Sequence, residues 1–252
     1  MKLIDSAALV TGAASGLGAA TAAMLSEQGA TVFGIDLAAS IEKAVSVAGV
    51  QHIAADVTSE SQVQKVIDTI RFAGPPLRLV VNCAGIAPAK RILSRQGPHD
   101  LESFEKTIAV NLVGTFNVMR LAAELMASQT PNDEGQRGVI INTASVAAFE
   151  GQIGQIAYAA SKGGVVAMTI TAARDLARDG IRVNTIAPGL VDTPLLAALG
   201  EEVNESLAAS VPFPKRLARP EEFAQLVTMI AEHDYLNGET IRMDGALRMP
   251  PN

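Results

Sequence analysis

Tryptophan is absent from this chain and cysteine occurs once, at Cys83. A single thiol can close no internal disulfide and build no thiolate metal cluster, which suits a reducing cytoplasm. Cys83 reads as a small buried hydrophobe rather than a reactive thiol. Histidine is scarce as well: His52, His99 and His233 show no paired spacing, so neither a metal site nor a Ser-His-Asp triad is visible. No metal is expected. Lys and Arg number 20 against 26 Asp and Glu, and a formal charge of −6 without tryptophan argues against a nucleic-acid surface. No run of about 18 apolar residues lacks charges, and Met1 to Asp5 enter the first strand pattern almost at once, leaving no room for a signal or transit peptide. The expectation is a cytoplasmic protein that engages neither membrane nor nucleic acid.

What the chain has is apolar periodicity. At 252 residues and 48% hydrophobic it can bury a sizeable core, and one domain over residues 1–252 is expected. Strand patterns fall at about 7–11, 31–36, 51–55, 77–82, 138–143, 182–187 and 239–243, with helical patterns filling most gaps and no linker or internal repeat. Near-continuous apolar strands alternating with helices imply a parallel sheet covered on both faces. The fold class expected is therefore α/β, a Rossmann-type doubly wound parallel sheet of about seven strands. Ligands in such sheets sit beyond the carboxyl ends of the strands, so Asp56-Val57, the stretch Asn82 to Gly85, Ser145 and Pro188 should converge on one crevice.

The first strand pattern runs into Gly12-Ala13-Ala14-Ser15-Gly16-Leu17-Gly18 and then an alanine-rich stretch to Gln28. This reads as strand, glycine turn and helix. Gly12 permits a tight turn, while Gly16 and Gly18 remove side chains where backbone approaches a pyrophosphate and where helix packs on strand. Free amides and the dipole at the helix start favour the anion. The next strand pattern ends in Asp36, placed to accept from the hydroxyls of a ribose, and neither Leu37 nor Ala38 offers a cation to a 2′-phosphate. NAD is therefore favoured over NADP.

Tyr158 and Lys162 lie four residues apart, on one face if the segment is helical, and Ser145 stands thirteen residues before Tyr158 at a strand end. A phenol titrates near ~10, and a neighbouring cation stabilises the phenolate and brings it toward neutral-pH proton exchange. Ser145 supplies a hydroxyl for a substrate oxygen that gains charge.

The spacing Gly-x-x-x-Gly-x-Gly together with Ser145, Tyr158 and Lys162 resembles the short-chain dehydrogenase/reductase family over the whole chain. Asn82-Cys83-Ala84-Gly85 resembles the family's Asn-Asn-Ala-Gly element, with cysteine for the second asparagine. Asn111 matches the long-helix asparagine of its catalytic tetrad, and Pro188-Gly189 its nicotinamide-side loop. The stretch 138–152, Asn82 to Ile86, Val211-Pro212-Phe213-Pro214 and Leu236 to Ala246 are similar to the subfamily of type 2 3-hydroxyacyl-CoA dehydrogenases, also called type 10 17β-hydroxysteroid dehydrogenases. Val191-Asp192 departs from it, where a bulkier residue and no acid are expected.

The resemblance implies a catalytic set of Asn111, Ser145, Tyr158 and Lys162, with Tyr158 exchanging the proton, Lys162 lowering its pKa and holding the nicotinamide ribose, Ser145 orienting the substrate oxygen and Asn111 supporting a relay water. It implies cofactor contacts from Gly12, Ser15, Gly16, Leu17, Gly18, Asp36, Asp56, Val57, Cys83, Ala84, Gly85, Tyr158, Lys162, Pro188, Val191 and Thr193, and substrate contacts from Ser145, Gln155 and Tyr158. The implied reaction is NAD-dependent oxidation of a short 3-hydroxyacyl-CoA. A 3-oxoacyl-carrier-protein reductase, a hydroxysteroid dehydrogenase and a non-catalytic NAD-binding scaffold are the alternatives.

Two loops carry cations without acids: Lys90, Arg91 and Arg95 between Ile86 and Pro98, and Lys215, Arg216 and Arg219 between Pro212 and Pro220. Such loops either keep the chain soluble or draw the phosphates of coenzyme A to the site. Leu195, Leu196 and Leu199 form an apolar stripe that could cover an acyl chain. The family resemblance implies a homotetramer through helices at about 100–130 and 155–179 and the segment Arg242 to Asn252, whose apolar end would be buried against a partner.

Overall fold

The computed structural model describes the chain apart from Lys2, Ala198, Leu199 and Asn252, and apart from the side chain of Leu195. β1 (Ala7–Thr11) leads through the glycine turn into α1 (Gly16–Glu27), and β2 (Thr31–Asp36) into the short α2 (Ala38–Ile41). β3 (Val50–Ala54), α3 (Glu60–Phe72) and β4 (Leu77–Asn82) follow. A two-residue-per-strand hairpin, β5 (Leu93–Ser94) with β6 (Gly97–Pro98), precedes α4 (Leu101–Ile108). α4 passes through a π turn (Ala109–Gly114) into α5 (Thr115–Ala127). Then come β7 (Gly138–Thr143), α6 (Ile156–Asp175), β8 (Ile181–Pro188), α7 (Pro194–Ala197), α8 (Glu201–Ser210), α9 (Pro220–Glu232) and β9 (Thr240–Met243).

The seven long strands form one parallel sheet in the order β3-β2-β1-β4-β7-β8-β9. Side chains alternate across each strand, and the two faces of the sheet bury different sets. Ala7, Leu9, Phe33 and Ile140 pack with residues of α3 and α5, such as Ile67 and Leu125. Ala8, Val10, Val32 and Ile141 pack with Leu25 of α1 and with Phe223 and Ile230 of α9. Both faces being covered explains why the strands read as unbroken apolar runs. Leu9 is fully buried, so Leu9→Ala would remove about 2–5 kcal/mol of stability.

Helix ends follow local chemistry. Asp100 caps α4 by accepting from Ser103 N at 2.8 Å, and α9 starts at Pro220 with Glu222 accepting from Arg219 N at 2.7 Å. The segments Leu101–Ala127 and Ile156–Asp175 are long and apolar enough to cross a membrane by length and composition alone. Buried helices of a folded core meet the same criterion, and Val118, Ala122 and Leu125 sit in this one. Strand order reverses between β1 and β4, and this is where a parallel sheet opens a crevice at its carboxyl edge. Thr11 Oγ1 pins that edge, accepting from Cys83 N and Ala84 N at 3.0 Å each.

Candidate active site

The glycine turn after β1 takes shapes that only glycine holds without strain. Gly12 has φ +68°, and a Cβ there would lie 2.9 Å from Ala84 N; a Cβ on Gly18 would collide with the carbonyl oxygen of Gly12. Ser15 is the N-cap of α1 in extended conformation, and its side chain makes no capping hydrogen bond. The first N–H groups of α1 therefore keep the donor capacity that an anion uses. Asp36 Oδ2 accepts from Ala14 N at 3.1 Å and its Oδ1 from Leu37 N at 2.8 Å, locking the end of β2 to the turn. A carboxylate has about four acceptor positions, so Asp36 retains capacity for a diol. Uncapped donors, an approach without side chains and a terminal carboxylate fit a dinucleotide.

At the end of β3, Asp56 Oδ1 accepts from Thr58 N and Oγ1 at 2.8 and 2.7 Å, so its carboxylate shapes the turn into α3. Val57 is buried, and its carbonyl accepts from Asn117 Nδ2 at 2.9 Å. The loop after β8 closes over the glycine turn: a Cβ on Gly16 would sit 3.4 Å from Thr193 Cγ2.

A cavity of about 320 Å³ opens between these loops and α6, and Ser145, Gln155, Tyr158 and Lys162 line it. Leu17, Cys83, Gly85, Pro188, Val191 and Thr193 line it too. Asp36, Asp56 and Val57 stand outside this cavity, at the ends of β2 and β3. A second cavity of about 330 Å³ lies beyond Leu190 against α9 and contains none of the Ser, Tyr and Lys groups.

Tyr158 and Lys162 are both on α6, as their spacing requires. Lys162 is only 4% exposed; its Nζ donates to Thr143 O at 2.7 Å and lies 5.8 Å from the centre of the Tyr158 ring. Burial pulls the ammonium down to about 8, with a small opposing pull from Cys83. Burial pushes the Tyr158 phenol up, and the Ser145 hydroxyl acts on it in the opposite direction. The expectation that Lys162 lowers this phenol is not met here. Desolvation is the larger effect, and the ammonium is turned toward the Thr143 carbonyl. Burial likewise raises the Cys83 thiol to about 11, and Thr143 Oγ1 points at its sulfur at 3.6 Å.

Asn111 lies within the π turn and is fully buried. Its Nδ2 donates to Ile86 O at 2.8 Å and Ser161 Oγ at 3.0 Å, and its Oδ1 accepts from Ile86 N at 2.8 Å. The side chain is thus spent on clasping the loop after β4 to α6. It remains close to the site: a Cβ on Gly85 would be 3.2 Å from Asn111 Oδ1 and 3.6 Å from Lys162 Nζ.

Residues 6–204 match the short chain dehydrogenase family. The chain belongs to that family. It is 53% identical to the 3-hydroxyacyl-CoA dehydrogenase type-2 of Drosophila melanogaster, over 98% of this chain and 99% of that protein. To the protein of that name from Homo sapiens it is 53% identical over 97% of this chain and 95% of the other. The crystal structure of 3-hydroxyacyl-CoA dehydrogenase type-2 from Mycobacterium avium is 43% identical and superposes with a TM-score of 0.90 over the whole of both chains.

In this short-chain dehydrogenase several site residues escaped the sequence reading. Thr11, Thr143 and Ser161 act through hydrogen bonds that only the fold brings together; their sole signal was a hydroxyl at a strand end or beside Lys162. Ser161 Oγ also donates to Tyr158 O at 2.7 Å. Met249 lines the cavity from the segment after β9. The cationic loops are less free than their sequences suggest. Lys90 pairs with Asp100 at 2.5 Å, and Arg216 with Glu222 at 2.7 Å, the acids coming from just outside each loop. Among the described residues Arg91, Arg95 and Lys215 are exposed and form no ion pair. Leu196 of the expected stripe lines the cavity, while Leu199 and the Leu195 side chain lie outside the described residues. The end of the chain is hydrogen-bonded to its own loop 150–153.

Proposed function

We propose that this short-chain dehydrogenase oxidises short 3-hydroxyacyl-CoA thioesters reversibly to 3-oxoacyl-CoA with NAD. One observation carries the reading: Ser145, Tyr158 and buried Lys162 share a cavity with Leu17 at the start of α1, in a chain with end-to-end similarity to type-2 3-hydroxyacyl-CoA dehydrogenases. NAD held by the glycine turn and Asp36 supplies the hydride acceptor.

In oxidation, Tyr158 takes the proton of the substrate hydroxyl. Ser145, whose Oγ already accepts from Ala147 N at 3.1 Å, is fixed to donate to the substrate oxygen. Lys162, as a buried cation one helical turn from Tyr158, favours the phenolate once a ligand draws its ammonium from Thr143 O. The Asn111 side chain is committed to Ile86 and Ser161, so its contribution is to hold the π turn and the loop after β4 in place. The assembly is a homotetramer, a reading supported by the exposed Val113 and Phe116 on the helix from α4 to α5 and by Ile156 and Ile170 on α6.

A panel of acetoacetyl-CoA, its carrier-protein counterpart and a 17β-hydroxysteroid, each with NAD(H) and NADP(H), tests the reading. Turnover is expected to be fastest with acetoacetyl-CoA and NADH. Faster turnover of the carrier-protein substrate with NADPH would overturn it, and no turnover at all would leave a nucleotide-binding scaffold. Light scattering is expected to give four chains per particle; a monomer at micromolar concentration would remove the assembly.

A further inference from the structure

Residues 245–251 have loop backbone, yet they are fastened at every step. Gly245 and Ala246 both adopt left-handed conformations, φ +58° and +65°, turning the chain back after β9. For alanine that conformation is strained and persists where its surroundings determine it. Asp244 supplies that determination: its Oδ1 accepts from Ala246 N and its backbone oxygen from Leu247 N, both at 3.0 Å. Arg242 joins Asp244 at 2.7 Å to Glu150 at 2.8 and 3.0 Å, and also donates to Leu247 O at 3.1 Å. Glu150 Oε2 in turn accepts from Met249 N at 3.2 Å. Beyond it, Ile153 N donates to Pro251 O at 2.9 Å and Gln152 Nε2 to Pro250 O at 3.2 Å.

This fastening keeps Met249 in the lining of the cavity that holds Ser145 and Tyr158. Met249 is tied to residues 150–153, which lead through Gln155 into α6, and Gln155 and Tyr158 line the same cavity, whereas the glycine turn is in contact with Thr193. Met249 therefore shares the cavity with Ser145, Gln155 and Tyr158, the residues assigned to the substrate. A thioether on an unbranched stem fills such a space without a rigid outline.

We propose that Met249 is a specificity-determining residue, the wall that limits acyl length, and that Glu150 with Arg242 positions it. This rests on the acyl-CoA reading of the site. The test is kcat/KM of the full-length enzyme for NADH-dependent reduction of 3-oxoacyl-CoA thioesters from four to ten carbons. Wild type should favour the shortest. Met249→Ala should raise the ten-carbon to four-carbon ratio at least about tenfold, the discrimination of one methylene's worth of pocket. Met249→Phe should lower the six-carbon to four-carbon ratio, and Met249→Leu should leave both near wild type. Glu150→Gln should move the ratios in the direction of Met249→Ala by a smaller factor, which loss of fold alone would not do. Should the alanine variant fail to fold, the phenylalanine and leucine variants decide. Active Met249 variants with unchanged ratios would overturn the proposal alone. A wild type that reduces no CoA thioester would overturn the function reading and this proposal with it.

Discussion

Lys162→Met should make the protein more stable at pH 7 while abolishing turnover. The lysine is 4% exposed, and burial lowers its pKa from 10.5 to about 8. Below the folded-state value both folded and unfolded chains carry the proton, and the folded state bears the full cost of the buried charge. That cost is about 3.4 kcal/mol, from 1.36 kcal/mol per pH unit. Between about 8 and 10.5 the unfolded chain binds more protons than the folded one, so stability rises with pH and the cost fades. Methionine fills a similar volume but gives up the charged donor to Thr143 O, a loss of about 1.5 kcal/mol. The variant should therefore gain about 2 kcal/mol at pH 7, shrinking to about zero at pH 9.5. Urea unfolding of both proteins at the two pH values, at fixed protein concentration, reads this directly. A variant less stable than wild type at pH 7, or a gain that does not depend on pH, would refute the view that Lys162 is held at the cost of stability for its charge.

Other outcomes follow from single groups. Asp36→Ala should raise KM for NAD at least about tenfold and relax discrimination against NADP, because a carboxylate that repels a 2′-phosphate is lost; kinetics with both cofactors check it, and unchanged selectivity would remove the ribose role. Cys83, with its thiol raised to about 11 by burial, should react with iodoacetamide at pH 8 far more slowly than a free cysteine, and rapid alkylation of the folded protein would contradict that environment. Replacing Arg91, Arg95 and Lys215 with glutamine should raise KM for acetoacetyl-CoA and leave it unchanged for a thioester without the nucleotide, with added salt mimicking the change over a screening length of about 8 Å. Equal effects on both substrates would assign these cations to solubility.

The sheet was legible where strands are buried on both faces, so β1, β2, β4 and β7 were readable to the residue from apolar runs that end in Thr11, Asp36, Asn82 and Thr143. The residues of the glycine turn, with Tyr158 and Lys162, were legible from local spacing. What escaped depends on distant parts of the chain. The π turn at Asn111 is set by the hold of its side chain on Ile86 and Ser161, and the helix read as continuous over 100–130 gave no sign of it. The β5–β6 hairpin is too short for any periodicity. The rise of the phenol and the fall of the ammonium follow from burial, which sequence spacing does not measure. The hold of Glu150 on Met249 spans 99 positions, a separation that no local spacing reveals.

The most direct measurement is NAD-dependent oxidation of 3-hydroxybutyryl-CoA by wild type and Tyr158→Phe, with NADH binding followed in parallel by fluorescence. The phenol provides the proton transfer and the ring mainly packs, so turnover should fall by about 10² to 10⁴ while NADH affinity stays within a few-fold. Near-normal turnover by the Tyr158→Phe enzyme would contradict the assignment of proton transfer to this cavity.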